Sequence, residues 1–269
     1  MTIISATVTE VELPASWAIG NVFGGAIAAL LATRAAAGTD LVPVSTSLRF
    51  LRAARPGPAR VRVTVLTAGK RFSTVQCELE ADDSTLAIAT VTLAPAATIP
   101  LDPPGQGLSA PVPTDLPEIA AGPEAAASVA RQVDWRAVTP WADGERSTGE
   151  FSSWIRFRDA SFIGADDLVH PNWYLVASDL IGPALARAGA ALPFRVATVA
   201  LDVSTVARTT SEWLLQRVRV LSDSVATLEL VTSSGVVVAT ATQRAVVLDA
   251  TADELPYSVT AFGRGTSFL

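Results

Sequence analysis

One carboxylate stands where chemistry is plausible: Asp179, in the run Tyr174-Leu-Val-Ala-Ser178-Asp179-Leu180. Its helix neighbours Leu175, Val176, Leu180, Ile181 and Leu185 are apolar on most sides. A carboxylate in that setting is either paired or has its pKa raised by desolvation. A raised carboxylate suits a general base, worth roughly 10²–10⁴ in rate when it is well positioned. Gly182-Pro183 follows directly and would kink the helix, freeing a carbonyl nearby. The commoner fate of a helix Asp is a solvated face, and the run alone does not separate the two.

Other nucleophiles and bases are scarce. Cys77 is the single cysteine, which excludes an internal disulfide framework and any multi-cysteine zinc site. It alternates with Val75 and Leu79 as a buried small hydrophobe would, and no neighbouring His could lower its pKa. His170 is the only histidine and precedes Pro171, a place for a helix cap more than for catalysis. A serine hydrolase of the α/β type needs a Gly-x-Ser-x-Gly elbow and a late His, and neither is present.

With 49% hydrophobic and 17% charged residues over 269 positions, the chain has ample material for a core, in one large domain or two medium ones. The net charge of -6, with scattered basic residues, argues against nucleic acid as a partner. Met1-Thr-Ile-Ile-Ser lacks the pattern of a signal peptide, and no apolar run reaches the ~20 residues of a membrane span, so a cytoplasmic, membrane-free protein is expected.

The elements that must position Asp179 come in a duplicated order. An Ala/Leu-rich stretch from Phe23 reads as a helix ending at Gly38. Strand-like runs follow at 44–52, 59–67, 71–81 and 85–94, with hairpin signals at Gly69-Lys70 and Asp82-Asp83-Ser84. The second half repeats the plan: a helix over 171–187, then strands at 194–207, 212–221, 225–232 and 236–248. Ala89-Thr-Val-Thr92 and Ala239-Thr-Ala-Thr242 lie 150 positions apart and mark the likeness best. A helix followed by an antiparallel meander is not a βαβ array; it suggests an α+β unit, a sheet curled around its helix, made twice. A Pro/Gly-rich stretch separates the copies, giving an N-terminal unit at 1–96, a linker at 97–127 and a C-terminal unit at 128–269. The tail ending in Phe268-Leu269 is uninformative.

Several short pieces, in order, resemble the bacterial and peroxisomal acyl-CoA thioesterase II family. They are Val22-Phe23-Gly24-Gly25, Phe50-Leu51-Arg52, Lys70-Arg71-Phe72-Ser73-Thr74, Trp154-Ile-Arg-Phe-Arg158, Ala177-Ser178-Asp179-Leu180, Glu212-Trp213-Leu214-Leu215 and Gly235 to Gln243. No single piece is specific; their order on a duplicated plan is. The resemblance implies a double hotdog: each long helix is wrapped by an antiparallel sheet, and the two sheets join. It implies hydrolysis of acyl-CoA thioesters, a place in lipid metabolism, and a water held by a helix Asp, a strand Thr or Ser and a strand Gln.

Asp179 and Gln243 match the first and last of these. The third position falls on Thr198 or Ala200, which a regular strand would turn to the same face. Thr198 is preferred because a hydroxyl can orient water. Backbone amides at Gly24-Gly25 would stabilise the oxyanion. Lys70, Arg71 and Phe72, in a turn matching the family's basic turn, would bind the phosphate-bearing substrate, with Arg52 and Arg55 next in line. The Asp-His pair of a hotdog hydratase is absent. No cofactor or metal is implied. A non-catalytic acyl-CoA or acyl-carrier binding protein of the same fold is the alternative, and open sheet edges make a homodimer a reasonable expectation.

Overall fold

A computed structural model describes residues 5–102, 113–116, 131–138, 150–159, 162–164, 166–187, 194–222 and 224–249. Strand β1 is Ser5–Leu13, and two short strands, β2 (Ala18–Ile19) and β3 (Asn21–Val22), pair in a ribbon of their own. Helix α1, Gly24–Ala36, precedes β4 (Leu41–Phe50), β5 (Gly57–Ala68), β6 (Ser73–Ala81) and β7 (Ser84–Pro95). The second half holds β8 (Val133–Ala137), β9 (Glu150–Phe157), α2 (Asn172–Ala177) and α3 (Gly182–Arg187). It closes with β10 (Phe194–Thr205), β11 (Leu214–Ser222), β12 (Val225–Thr232) and β13 (Val237–Asp249).

Eleven strands form one antiparallel sheet in the order β1-β5-β6-β7-β4-β10-β13-β12-β11-β9-β8. The order is nearly a palindrome: β4, β7, β6, β5 and β1 run outward on one side, and β10, β13, β12, β11 and β9 match them on the other. The predicted hairpin strands are all present, with ends moved by a few residues. Asp82 and Asp83 sit at φ 48° and 55° between β6 and β7, the left-handed pair that a tight two-residue hairpin requires. The copies Ala89-Thr-Val-Thr92 and Ala239-Thr-Ala-Thr242 occupy β7 and β13, equivalent places beside the seam strands. The seam is the pairing of β4 with β10, where Leu48 faces Leu201 and Ser47 faces Asp202.

Helix α1 forms because its residues are strong helix formers, and it buries Gly25, Ile27, Ala28, Leu31, Ala32 and Ala35, one face at helical spacing. It packs on β4–β7 and against α2, so the two halves share one core. This is the double-hotdog α+β architecture. Strands β1, β8 and β9 lie outside the elements read from the sequence. Most of the expected linker, and the tail after Asp249, lie outside the described residues. Among the described residues no helix is long and apolar enough to cross a membrane.

The helix expected over 171–187 is broken. It runs as α2 to Ala177, turns through Ser178 to Ile181, and resumes as α3 at Gly182. Pro183 has no N–H to give the Asp179 carbonyl, so a regular helix is not continued there. Proline is tolerated in the first turn of α3. The kink expected from Gly182-Pro183 is therefore a full interruption, and Asp179 sits inside it.

Candidate active site

Three elements converge on Asp179. Thr198 Oγ1, from β10, donates to Asp179 Oδ1 at 2.8 Å, and Gln243 Nε2, from β13, donates to the same oxygen. Gln243 Nε2 also lies 2.8 Å from Thr198 Oγ1, so the three side chains form a closed triangle. From the other half, the Gly25 backbone N–H at the start of α1 donates to Asp179 Oδ2 at 2.8 Å. The carboxylate is only 6% exposed and Gln243 1%. Burial pushes the Asp179 carboxyl up to about 7, against the opposing pull of the Thr198 and Gly25 hydrogen bonds. A carboxylate with that value is neither permanently charged nor permanently neutral near pH 7, which is what proton transfer at that pH asks for.

A β-bulge decides between Thr198 and Ala200. Thr198 pairs with Ala245 and Leu201 with Gln243, so Val199 and Ala200 together span one step of the ladder. The strand's alternation slips by one there. Ala200 pairs with Arg244 on one side and Arg49 on the other, both exposed on the outer face. Thr198 stays on the inner face with Ala245. The premise that a regular strand would present both residues to the site is thus corrected.

Glycine is required on the α1 side. A Cβ on Gly24 would lie 2.7 Å from Asp179 Oδ2 and 2.9 Å from the Phe50 ring, and one on Gly25 would lie 2.8 Å from the Val176 Cα. The helix start can approach both the carboxylate and the α2 backbone only because neither residue carries a side chain. Gly25's amide is already committed to Asp179, which departs from its expected part as an oxyanion donor. Gly24's N–H belongs to the first turn of α1, where amides have no intrahelical acceptor.

The turn of Lys70, Arg71 and Phe72 is exposed but is not at this cluster. Ser73 pairs with Leu93, and Leu93 with Pro43 near the start of β4, whereas Phe50 ends that strand beside Gly24. Seven residues of strand separate the two, ~23 Å at ~3.3 Å per residue. Arg52 and Arg55 are at the cluster's end of the sheet: Ala54, between them, accepts the Val22 N–H at 2.7 Å, two residues before Gly24. Both arginines are exposed.

The other candidates fall into structural places. Cys77 is fully buried under α1, donates to the Leu31 carbonyl, and has its thiol pushed up to about 12 by burial. His170 Nδ1 accepts the Asn172 N–H at the start of α2, the capping part expected of it. Among the described residues no cluster of His, Cys, Asp and Glu could hold a metal ion. One feature was missed from sequence: the buried Gln216 of β11, which donates to the carbonyls of Ala177 and Leu180 on either side of Asp179. Its strand parity matches Leu214 and Val218 and opposes Arg217 and Arg219, so the inward direction was readable.

The buried carboxylate, bracketed by a hydroxyl and an amide, lies where the start of α1 meets the break between α2 and α3. Residues 13–94 match the family model described as acyl-CoA thioesterase N-terminal domain. That match spans the first of the two hotdog units and, with the fold, supports a thioester hydrolase. Solved structures agree on the fold. A protein of unknown function with a hotdog fold from Alicyclobacillus acidocaldarius is 17% identical, covering 92% of this chain and 97% of its own, at a TM-score of 0.73. The tesB protein of Mycobacterium avium subs paratuberculosis is 22% identical, covering 91% and 93%, at 0.67. An acyl-CoA thioesterase II from Mycobacterium marinum is 18% identical, covering 86% and 91%, at 0.63. No curated protein sequence matches the chain.

Proposed function

We propose that the chain hydrolyses acyl-CoA thioesters by an Asp179-activated water, releasing the free acid and CoA. The observation that carries this reading is the triangle of Asp179, Thr198 and Gln243 around a carboxyl raised to about 7. A carboxylate offers about four lone-pair positions; Thr198, Gln243 and Gly25 fill three, and the fourth is the place for a water. Gln243 Oε1 is buried without a hydrogen-bond partner, an acceptor that the same water's second proton can satisfy.

In the reaction, Asp179 takes one proton as the water oxygen attacks the thioester carbonyl carbon. The carbonyl oxygen becomes an oxyanion, for which the free Gly24 amide and the positive end of α1 are the available stabilisers. When the tetrahedral adduct collapses, the C–S bond breaks and Asp179 returns its proton to the departing thiolate. Thioester plus water gives acid plus thiol, with the base regenerated and no covalent acyl-enzyme. Arg52 and Arg55 are the cations best placed for the CoA phosphates, ahead of Lys70 and Arg71.

Thiol release from a series of acyl-CoAs, acetyl to palmitoyl, tests the reading on wild type and Asp179→Asn. Chain-length-dependent release by the wild type, lowered ~100-fold or more in the variant, is expected. Release by the variant above about a tenth of wild type would remove Asp179 as the base. No release by wild type from any acyl-CoA would favour the non-catalytic binding protein of the same fold.

A further inference from the structure

We infer that Gln216 is a positioning residue that holds the helix break open around Asp179. The inference rests on the proposed role of Asp179 as base. Three observations carry it. The α2–α3 interruption leaves backbone carbonyls in an apolar interior, where an unpaired carbonyl is costly. Gln216 Nε2 donates to Ala177 O at 2.8 Å and Leu180 O at 3.1 Å, gripping the chain on both sides of Ser178-Asp179. The amide is itself fixed: its Oε1 accepts from Ser153 Oγ at 3.3 Å, and Ser153 Oγ accepts from Trp135 Nε1 at 2.7 Å.

Gln216 and Ser153 are both fully buried and directly paired across β11 and β9. A buried amide among Leu214, Val218 and Leu230 is unfavourable unless every polar atom is used. Here they are used to carry the position of the sheet into the helix break. Pro183 forbids a continuous helix, but it does not select one broken geometry; the two carbonyl contacts do. Asp179 N–H still bonds to Val176 O at 3.2 Å, so a shift of the α2 end moves the carboxylate with it. A displacement near 1 Å is enough to cost a positioned base about 100-fold.

The role separates from plain structural support by three readouts. In Gln216→Met, which keeps volume and removes the donor, kcat falls at least tenfold while KM stays within about twofold. The acid limb of the kcat profile moves to lower pH, because a loosened break admits water and relieves the desolvation of Asp179. In Gln216→Glu the new acid donates to one carbonyl when protonated and to neither when ionised, so its kcat relative to wild type declines as pH rises. The full-length protein is used throughout, with circular dichroism to confirm folding. If Gln216→Met does not fold, Gln216→Glu carries the test.

Unchanged kcat in both variants, or a kcat loss with the acid limb unmoved and no pH-dependent decline in Gln216→Glu, overturns the inference. Asp179→Asn is measured alongside. If that variant is active, the role of the base fails; if it is inactive while the Gln216 variants match wild type, only the positioning role fails.

Discussion

Asp179→Asn should change the way stability depends on pH, and by an amount the structure sets. The carboxyl goes from 3.8 to about 7 on folding, with burial as the main cause. Below pH ~4 it is protonated in both states and contributes no pH dependence. Between the two values the folded protein keeps a proton that the unfolded chain has released, so stability falls as pH rises, at about 1.4 kcal/mol per pH unit. Above ~7 the loss is complete, near 4 kcal/mol in total. From pH 5 to pH 8 the wild type should therefore lose roughly 3 kcal/mol relative to Asp179→Asn, which has nothing to titrate. Every other ionisable group is common to the two proteins, so the difference isolates this one. Urea unfolding at pH 5, 6, 7 and 8 measures it, as a relative shift of the midpoint of about 1 M or more. The same titration places the acid limb of kcat/KM near pH 7. A difference curve flat within experimental error would refute the buried, raised carboxyl and the physical argument for a base built on it.

Three further perturbations read the site's geometry. Gly24→Ala puts a methyl 2.7 Å from Asp179 Oδ2 and 2.9 Å from Phe50, so kcat should drop tenfold or more, with a stability loss of about 1–3 kcal/mol measured by urea unfolding. Thr198→Val should lower kcat about tenfold or more by removing a donor to the carboxylate, whereas Ala200→Ser, on the outer face beyond the bulge, should leave kinetics unchanged. Arg52→Ala with Arg55→Ala should raise KM for acyl-CoA about fivefold and steepen no other parameter, while Lys70→Ala with Arg71→Ala should move KM less than twofold; charge pairing at exposed sites is worth about 1 kcal/mol. The opposite ranking of the two pairs would restore the turn at 70–72 as the phosphate site.

The legible parts of this protein are those with local causes. Hairpin strands announced themselves through alternation and through Asp82-Asp83, whose residue types permit left-handed backbone at the turn. Helix α1 followed from propensity and from Gly38, at φ 74° just past its end. Asp179 stood out by its apolar helix context and Gln243 only through the family resemblance, and their meeting depends on β13 lying next to β10, a pairing no short window contains. The bulge at Val199 was not legible: Val196 to Leu201 carries no Gly or Pro to mark it, and strict parity gave the wrong face for Ala200. Strand β1 escaped because it lies at the sheet edge with most residues exposed, leaving little alternation to read.

The asymmetry between the halves explains why a duplicated chain carries this one cluster across its seam. The Gly25 to Asp179 hydrogen bond joins residues 154 positions apart, one from each copy. The first copy keeps an unbroken 13-residue helix, and so offers a fixed start whose Gly25 amide reaches the carboxylate with no side chains in the way. The second copy gives up that continuity. Its helix is cut where Pro183 forbids a turn, which exposes backbone that Gln216 must bind and drops Asp179 out of the helical ladder toward β10 and β13. A continuous second helix would aim residue 179 by helical geometry alone, on whichever face the 3.6-residue period dictated. Cutting it lets the sheet choose the direction instead, through Gln216 behind the break and Thr198 and Gln243 in front. Two copies in one chain make that division tenable, because the copy that stays regular supports the core that the other has interrupted.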